Sequence, residues 1–383
     1  MRVAVFGLGY VGTVTAACLA AHGHEVWGVD PEPAKVDLIA RGTSPVVEPE
    51  LDELVARASS AGRLRATTEA AEAVDGAAIS LVCVGTPSSR NGGTDVSYIR
   101  RAAGQIGRAL GQAAGQPSFH GIVVRSTVPP GTLENVVVPS IETELGAAAG
   151  SVFGVASCPE FLREGSGVSD FLFPPFTVVG TSDPRVAELM RRLLDFVDAP
   201  IHVVPVRVAE ALKYACNAFH AVKVSFANEL TRLLRPLSVD GRTVMELFCE
   251  DRRLNISPRY LRPGFAFGGS CLPKDLRSLL YMGRMNSVEL PLIAGTVASN
   301  DLTLRDVVEQ SLSNGWRRIA LMGLSFKMET DDLRESPNVE LAETLIGKGV
   351  ALRIYDPIIQ PMRLMGANLR YIEARLPHLR ELL

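Results

Sequence analysis

A chain of 383 residues is longer than one hydrophobic core usually organises, so two or three domains are expected. Hydrophobic residues at 47% against 21% charged exclude a disordered chain. A formal net charge of -3 leaves no basic excess for a phosphate backbone, so nucleic acid is not an expected partner.

The N-terminus runs straight into a strand-like stretch without the apolar run and cleavage site of a signal peptide. No later segment offers about 18 uninterrupted apolar residues. A cytoplasmic protein with no membrane partner is expected. The first half then alternates short apolar runs with helical patterns. Val3 to Phe6, Glu25 to Val29, Ile79 to Val84, Gly121 to Arg125 and Val152 to Ala156 read as strands, a rhythm that predicts a doubly wound α/β domain with a largely parallel sheet. From Arg207 to about Arg235 the sequence reads as one long helix between Pro205 and the turn-like Val239-Asp240-Gly241. It is too apolar for a surface helix, and packing between domains or against a second subunit is expected. Gly264 to Gly269 is a glycine-rich loop, and a second βαβ beginning follows. It comprises Arg317 to Gly323, a helix over Val339 to Gly347 and a strand over Ala351 to Tyr355.

The strongest local motif is Gly7-Leu8-Gly9-Tyr10-Val11-Gly12, directly after the first strand and before the helical Val14 to Ala21. Glycines there permit a tight turn, a close approach of backbone to pyrophosphate, and close packing of helix on strand. The helix start presents N–H groups and a positive dipole end to phosphates. Asp30 ends the second strand, where a carboxylate accepts from the adenosine ribose hydroxyls and repels a 2′-phosphate. The expected cofactor is therefore NAD. Thr86 and Thr127 follow further strands at the carboxyl edge, where they read as ligand contacts or as ordinary turn residues.

Lys213, Asn217, His220 and Asn228 share one stripe of the long helix. They are either satisfied interhelical hydrogen bonds or, for Lys213 and Asn217, groups that hold a substrate oxygen as charge develops on it. The six cysteines, Cys18, Cys83, Cys158, Cys216, Cys249 and Cys271, lack the spacing of a zinc site or a disulfide scaffold, so no metal is expected. Five read as small buried residues. Cys271 differs, standing after Gly268-Gly269-Ser270 and three residues before Lys274, a setting that lowers a thiol's pKa and exposes it. Asp275 and Glu160 add carboxylates that serve either as bases or as caps and solvated charges.

Taken together, Phe6 to Gly12, Pro159 to Glu164, Lys213 to Asn217, Phe267 to Asp275 and Gly323 to Pro337 resemble, in order, the signatures of the UDP-glucose/GDP-mannose dehydrogenase family. Ser44 to Pro49, Leu261 to Phe267 and Asp331 to Pro337 are most similar to the branch that acts on GDP-mannose in alginate producers. UDP-glucose stays open as the alternative, as do an inactive nucleotide-sugar binder and a two-electron hydroxyacid dehydrogenase. The resemblance implies a four-electron oxidation of a sugar C6 alcohol to a carboxylate through a Cys271 thioester. Lys213 and Asn217 would stabilise the oxyanion, Asp275 and Thr127 position water or a proton carrier, and Glu160 act as hydrolytic base. It also implies that Gly7, Gly9, Tyr10, Val11, Gly12, Asp30, Lys35, Thr86, Thr127, Lys274 and Arg334 line the NAD site. Glu164, Lys213, Asn217, His220, Asn228, Tyr260, Arg262, Phe265, Gly268 and Lys327 would line the nucleotide-sugar site.

By the same resemblance, the divisions are a Rossmann-type NAD domain over 1–205, a central helical dimerisation and catalytic region over 206–305, and a nucleotide-sugar domain over 306–383. A homodimer or higher homo-oligomer through the long helix is implied, with Arg262 reaching the neighbouring subunit's site. Two departures stand out. Arg259 replaces a tyrosine of the GDP-mannose branch, and the family's last domain normally continues beyond Leu383, leaving an incomplete Rossmann-like unit. Exposed apolar surface or partial disorder is expected there.

Overall fold

The strand β1 (Arg2–Phe6) is apolar on both faces, as a central strand of a parallel sheet requires. The computed structural model describes residues 1–87, 93–112, 119–163, 165–256, 264–269, 272–326, 333–359 and 366–376. The side chains of 218, 220, 221, 224, 225, 228, 232, 274, 275, 277–279, 281, 282 and 366–370 lie outside that description. By its contacts the chain divides into two units, Met1–Phe219 and His220–Leu383.

In the first unit β1 is joined by β2 (Glu25–Val29), β3 (Leu64–Thr67), β4 (Ile79–Val82), β5 (His120–Val124), β6 (Phe153–Ser157), β7 (Thr177–Gly180) and β8 (Ile201–Val204). They form one sheet of order β3-β2-β1-β4-β5-β6-β7-β8. All neighbours pair in parallel except β6 and β7, which meet antiparallel at Ser157 opposite Gly180. The order reverses between β1 and β4, and the crevice outside the carboxyl ends at such a reversal is where open α/β sheets take their ligands.

Alternation along the strands builds a core on each face of the sheet. Val3, Val5, Ile79, Leu81 and Val123 pack on one side, with Leu19 of the helix Tyr10–Ala21 and Met190 of the helix Pro184–Leu193. Ala4, Phe6, Val82, Ile122 and Val124 pack on the other, with Ile99 and Ile106 of the helix Ser97–Gln112. Each fully buried Leu, Ile or Phe contributes about 1.5–3 kcal/mol of transfer free energy, which fixes strand register and so the heights of the loops at the carboxyl edge.

The long helix Val206–Leu234 begins and ends within a residue of the expected limits. Two of its buried acids terminate other elements. Glu210 accepts from Gly131 N at 2.6 Å and Leu133 N at 3.0 Å, and Glu229 accepts from Leu292 N and Ile293 N, each at 3.0 Å, at the start of the helix Pro291–Ser313. On the solvent side Val208, Tyr214, Phe219 and Val222 are exposed in the single chain.

In the second unit β9 (Arg318–Met322) pairs in parallel with β10 (Ala351–Tyr355), and the helix Pro337–Gly347 connects them. Leu352 and Ile354 face a core with Leu341 and Leu345. The opposite face carries Met322 at 71% and Tyr355 at 61% exposure. Cys18, Cys83 and Cys158 are buried as expected. Cys249 is exposed and Cys216 half-buried, so the interior reading fails for these two, which lie on helices with one solvated face. No helix among the described residues is long and apolar enough to cross a membrane. Among those residues no group of three or more His, Cys, Asp or Glu is placed to hold a metal.

Candidate functional site

The three glycines of the first crossover do three different things. Gly7 has φ +95°, and a Cβ there would lie 2.9 Å from the Cys83 carbonyl oxygen. A Cβ on Gly12 would fall onto the Gly7 carbonyl. A Cβ on Gly9 would meet nothing within 4 Å. Two glycines therefore close the turn onto the sheet, and the middle one faces open space above the start of the helix Tyr10–Ala21. That helix has neither an acidic residue in its first turn nor a side-chain cap, and its first internal bond runs from Thr13 N to Gly9 O at 2.9 Å. A positive helix end with no acidic residue in its own first turn, under a glycine-lined opening, fits the pyrophosphate of a dinucleotide.

Asp30 stands beside this opening and is 4% exposed. Its Oδ2 accepts from Leu8 N at 2.8 Å and Lys35 Nζ at 3.1 Å, and its Oδ1 from Glu32 N at 3.0 Å. A carboxylate offers about four acceptor positions. Three are taken, by Leu8, Glu32 and Lys35, and the carboxylate faces the opening. The loops after β4 and β5 are stitched together above the same edge. Thr86 Oγ1 donates to Thr127 O at 2.9 Å, and Ser126 Oγ donates to Val84 O at 2.6 Å. Thr86 thus fulfils the turn reading at its hydroxyl and also fixes the height of Thr127.

The loop after β6 carries the site's acid. Glu160 pairs with Lys213 at 3.1 Å, both side chains being about one-tenth exposed, and it also accepts from Leu162 N at 2.6 Å. The Lys213 ammonium lies over the Phe161 ring at 5.5 Å. Asn217, one turn further along the helix, is exposed. The expected oxyanion-holding lysine and the expected base therefore neutralise one another. A buried pair of this kind avoids the cost of a lone buried charge and keeps both groups in fixed positions.

Burial pushes the Cys18 and Cys83 thiols up to about 12, against the opposing pull of the Arg125 guanidinium, and it raises Cys158 as well. These three are inert at neutral pH. Cys271, Glu164, Tyr260, Arg262 and Lys327 lie outside the described residues. Lys274 and Asp275 fall on the helix Leu272–Met285, and His220 and Asn228 on Val206–Leu234, with side chains outside the description.

In the second unit, Gly268 is buried, Phe265 is exposed and Arg334 half-buried. The glycine loop is held by a residue sequence reasoning did not single out. Asn300 accepts from Phe267 N at 2.8 Å and donates to Phe267 O at 3.0 Å, a two-point clamp on one residue's backbone. Gly269 N donates to the Glu335 carbonyl at 3.1 Å, and Glu335 itself has φ +50°. A Cβ on Gly268 would meet that carbonyl and Pro337. Glu48 was missed likewise. It is buried and accepts from Tyr10 Oη, Gly165 N and Gly167 N.

A doubly wound sheet with an open, uncapped helix start and a terminal aspartate on the second strand defines an NAD-binding dehydrogenase fold. Residues 1–197 match the NAD binding domain of the UDP-glucose/GDP-mannose dehydrogenase family, 207–302 its central domain and 320–379 its UDP binding domain. The chain is 50% identical over 383 residues to a GDP-mannose 6-dehydrogenase of Pseudomonas syringae pv. syringae, covering 100% of this chain and 87% of that one. It is 35% identical over 362 residues to a UDP-glucose 6-dehydrogenase of Bacillus subtilis, covering 94% and 80%. The structure is similar to a ternary complex of GDP-mannose dehydrogenase from Pseudomonas aeruginosa, with TM-score 0.96, 49% identity and coverage of 100% and 87%. It is also similar to a UDP-glucose dehydrogenase from Pyrobaculum islandicum, with TM-score 0.63, 39% identity and coverage of 93% and 81%. The chain belongs to the UDP-glucose/GDP-mannose dehydrogenase family. It is an NAD-dependent oxidoreductase acting on a nucleotide sugar.

Proposed function

We propose that this chain oxidises the C6 hydroxyl of GDP-mannose to a carboxylate, with Cys271 as covalent nucleophile, to supply an alginate-type polysaccharide precursor. The observation that carries the choice of sugar nucleotide is the 50% identity along all 383 residues to a GDP-mannose 6-dehydrogenase, against 35% to a UDP-glucose enzyme. NAD supplies the hydride acceptor for both oxidations. The Gly7–Gly12 turn and Asp30 hold it, with Lys35, Thr86, Thr127, Lys274 and Arg334 around them.

The chain's own groups do the rest. Lys213 and Asn217 hold the C6 oxygen and stabilise negative charge on it. The Cys271 sulfur adds to the aldehyde carbon, and the thiol proton ends on the former carbonyl oxygen. This retains the reactive aldehyde and restores a C–H bond at the carbon to be oxidised again. Water then attacks the thioester carbon, the C–S bond breaks and the thiol is regained. Glu160 takes the water's proton, and Asp275 with Thr127 places the water. Glu164, His220, Asn228, Tyr260, Arg262, Phe265, Gly268 and Lys327 bind the nucleotide sugar.

The division into 1–205, 206–305 and 306–383 belongs to the same reading, as does a cytoplasmic location. So does a homodimer through the long helix, in which a second copy covers Val208, Tyr214, Phe219 and Val222, exposed in the single chain. The test is the NADH released per GDP-mannose consumed, with UDP-glucose assayed beside it. Two per sugar is expected, abolished by Cys271→Ala. One per sugar, or full activity of that variant, rejects the thioester route. Faster turnover of UDP-glucose rejects the substrate, and binding without turnover rejects the activity.

A further inference from the structure

Tyr10 belongs to two structures at once. Its backbone is the first residue of the helix whose start faces the dinucleotide opening, and its side chain reaches away to another loop. One phenolic proton lies between two acceptors there, Glu48 Oε2 at 3.0 Å and the Arg163 carbonyl at 2.8 Å. Glu48 comes from the Ser44–Pro49 segment, a stretch that the catalytic scheme leaves unused. It is buried, and its remaining contacts are with the same loop as Arg163, accepting from Gly165 N at 2.8 Å and Gly167 N at 2.6 Å. Burial raises the Glu48 carboxyl, and hydrogen bonds from Gly165, Gly167 and Tyr10 outweigh it and hold the group below the usual carboxylate range. The acceptor is thus charged at neutral pH. Gly167 packs so closely that a Cβ there would collide with the Tyr10 hydroxyl.

The segment on the far side of this contact carries the site's acid. Glu160 precedes Arg163 by three residues, and Arg163 is held by Asp170. The guanidinium donates to Asp170 at 2.7 and 3.0 Å, and the Arg163 backbone N donates to the same carboxylate at 2.9 Å. A displacement of Tyr10 therefore reaches Glu160 through two hydrogen bonds and one short segment of backbone. Nothing in the dinucleotide turn's own chemistry needs the hydroxyl, because a phosphate would be met by the backbone N–H groups.

We propose that Tyr10 and Glu48 form a link through which NAD bound at the Gly7–Gly12 turn fixes the backbone at Arg163, Gly165 and Gly167, so that both act as positioning residues for Glu160. The part played by that loop in catalysis rests on the function proposed above; the link itself does not. Amide hydrogen exchange at Gly165 and Gly167, with and without saturating NADH and no sugar nucleotide present, tests it directly. In the unmodified chain NADH should slow exchange at both glycines about tenfold, the size of a typical coupling between sites. Tyr10→Phe removes only the hydroxyl and, at NADH concentrations that saturate the variant, should abolish the slowing. Glu48→Gln should quicken exchange at both glycines with or without NADH. If Glu48→Gln does not fold, Tyr10→Phe still decides. Equal slowing in Tyr10→Phe and the unmodified chain, or none in the unmodified chain with NADH bound, overturns the link. An error in the substrate would appear only in the turnover assay.

Discussion

Lys213 Nζ lies 3.1 Å from Glu160 Oε1, and both side chains are about one-tenth exposed. The pair joins the long helix to the loop after β6 inside the first unit. Removing one partner leaves the other buried without compensation, which costs about 3–5 kcal/mol in such sites. Lys213→Met should therefore lower stability by roughly that amount and cut kcat/KM by at least about a hundredfold, since the lost cation also served the oxyanion. The double variant Lys213→Met, Glu160→Gln should recover much of the stability and none of the activity. Urea denaturation beside steady-state rates checks both, and additive stability losses would show that the pair is not coupled.

Glu160→Gln alone separates the two halves of the reaction. The amide cannot take a proton from water, so the first two oxidations proceed and hydrolysis stalls. A burst of NADH followed by a slow steady rate is expected, with an acyl adduct on Cys271 visible by mass spectrometry of quenched enzyme. Loss of the burst together with the steady rate would move Glu160 from hydrolysis to an earlier step.

Asp30 has three of its acceptor positions filled by Leu8, Glu32 and Lys35. Asp30→Asn keeps the shape and removes the charge. A lost charged hydrogen bond of about 1.5–3 kcal/mol corresponds to a rise in KM for NAD of roughly tenfold or more. The kcat should hold within about twofold, the signature of uniform binding. Turnover with NADP should rise, because the 2′-phosphate is no longer repelled and Lys35 stays nearby. A parallel titration with both dinucleotides measures this, and an unchanged NAD to NADP ratio would remove Asp30 from the ribose.

What the sequence made legible follows from range. β1, β2, β4, β5 and β6 are apolar runs in the first half, and the glycine turn is a local pattern, so both can be read in a short window. β3 escaped because Arg65 interrupts Leu64–Thr67, β7 because it is four residues ending in Gly180, and β8 because His202 breaks an exposed edge. Lys213 and Glu160 were each named from local pattern, but their pairing was not, because 52 intervening residues hide it. Glu48 and Asn300 were invisible for the same reason. A glutamate or an asparagine becomes special only through the backbone groups that the fold brings to it.

Asn300 offers a sharper test of the second unit. It holds both the N–H and the carbonyl of Phe267, and Cys271 follows Phe267 by four residues in the sequence. Asn300→Ala frees the backbone of Phe267, and Asn300→Asp keeps the acceptor while setting a charge against the Phe267 carbonyl. Both should lower kcat by about tenfold and leave KM for the sugar nucleotide within about twofold, as misplacement of a reacting group does. Iodoacetamide labelling of Cys271 should change rate in both variants while NADH binding stays constant. Unchanged labelling together with unchanged kcat would make the clamp a purely local feature.

His120 sets an acid limit on stability. It is fully buried at the start of β5, and its Nδ1 lies 2.8 Å from the Ala77 carbonyl, an acceptor, so Nδ1 carries the proton. Its Nε2, 2.8 Å from Ser80 Oγ, is then the acceptor of the serine hydroxyl, and the ring is neutral in the fold. Burial drives its pKa down to about 4 from the ordinary histidine value of 6.5, against a smaller opposing effect of the Ala77 hydrogen bond. Above 6.5 neither state takes the proton, and stability is fully present. As pH falls from 6.5 towards 4 the unfolded chain is protonated first, and about 3 kcal/mol is lost across that window. Urea midpoints at pH 7.5 and 4.5 should differ accordingly. His120→Gln, which cannot titrate, should show a markedly smaller difference between the two midpoints even though it is less stable at pH 7.5. An identical pH difference in the variant would place the acid sensitivity at other groups.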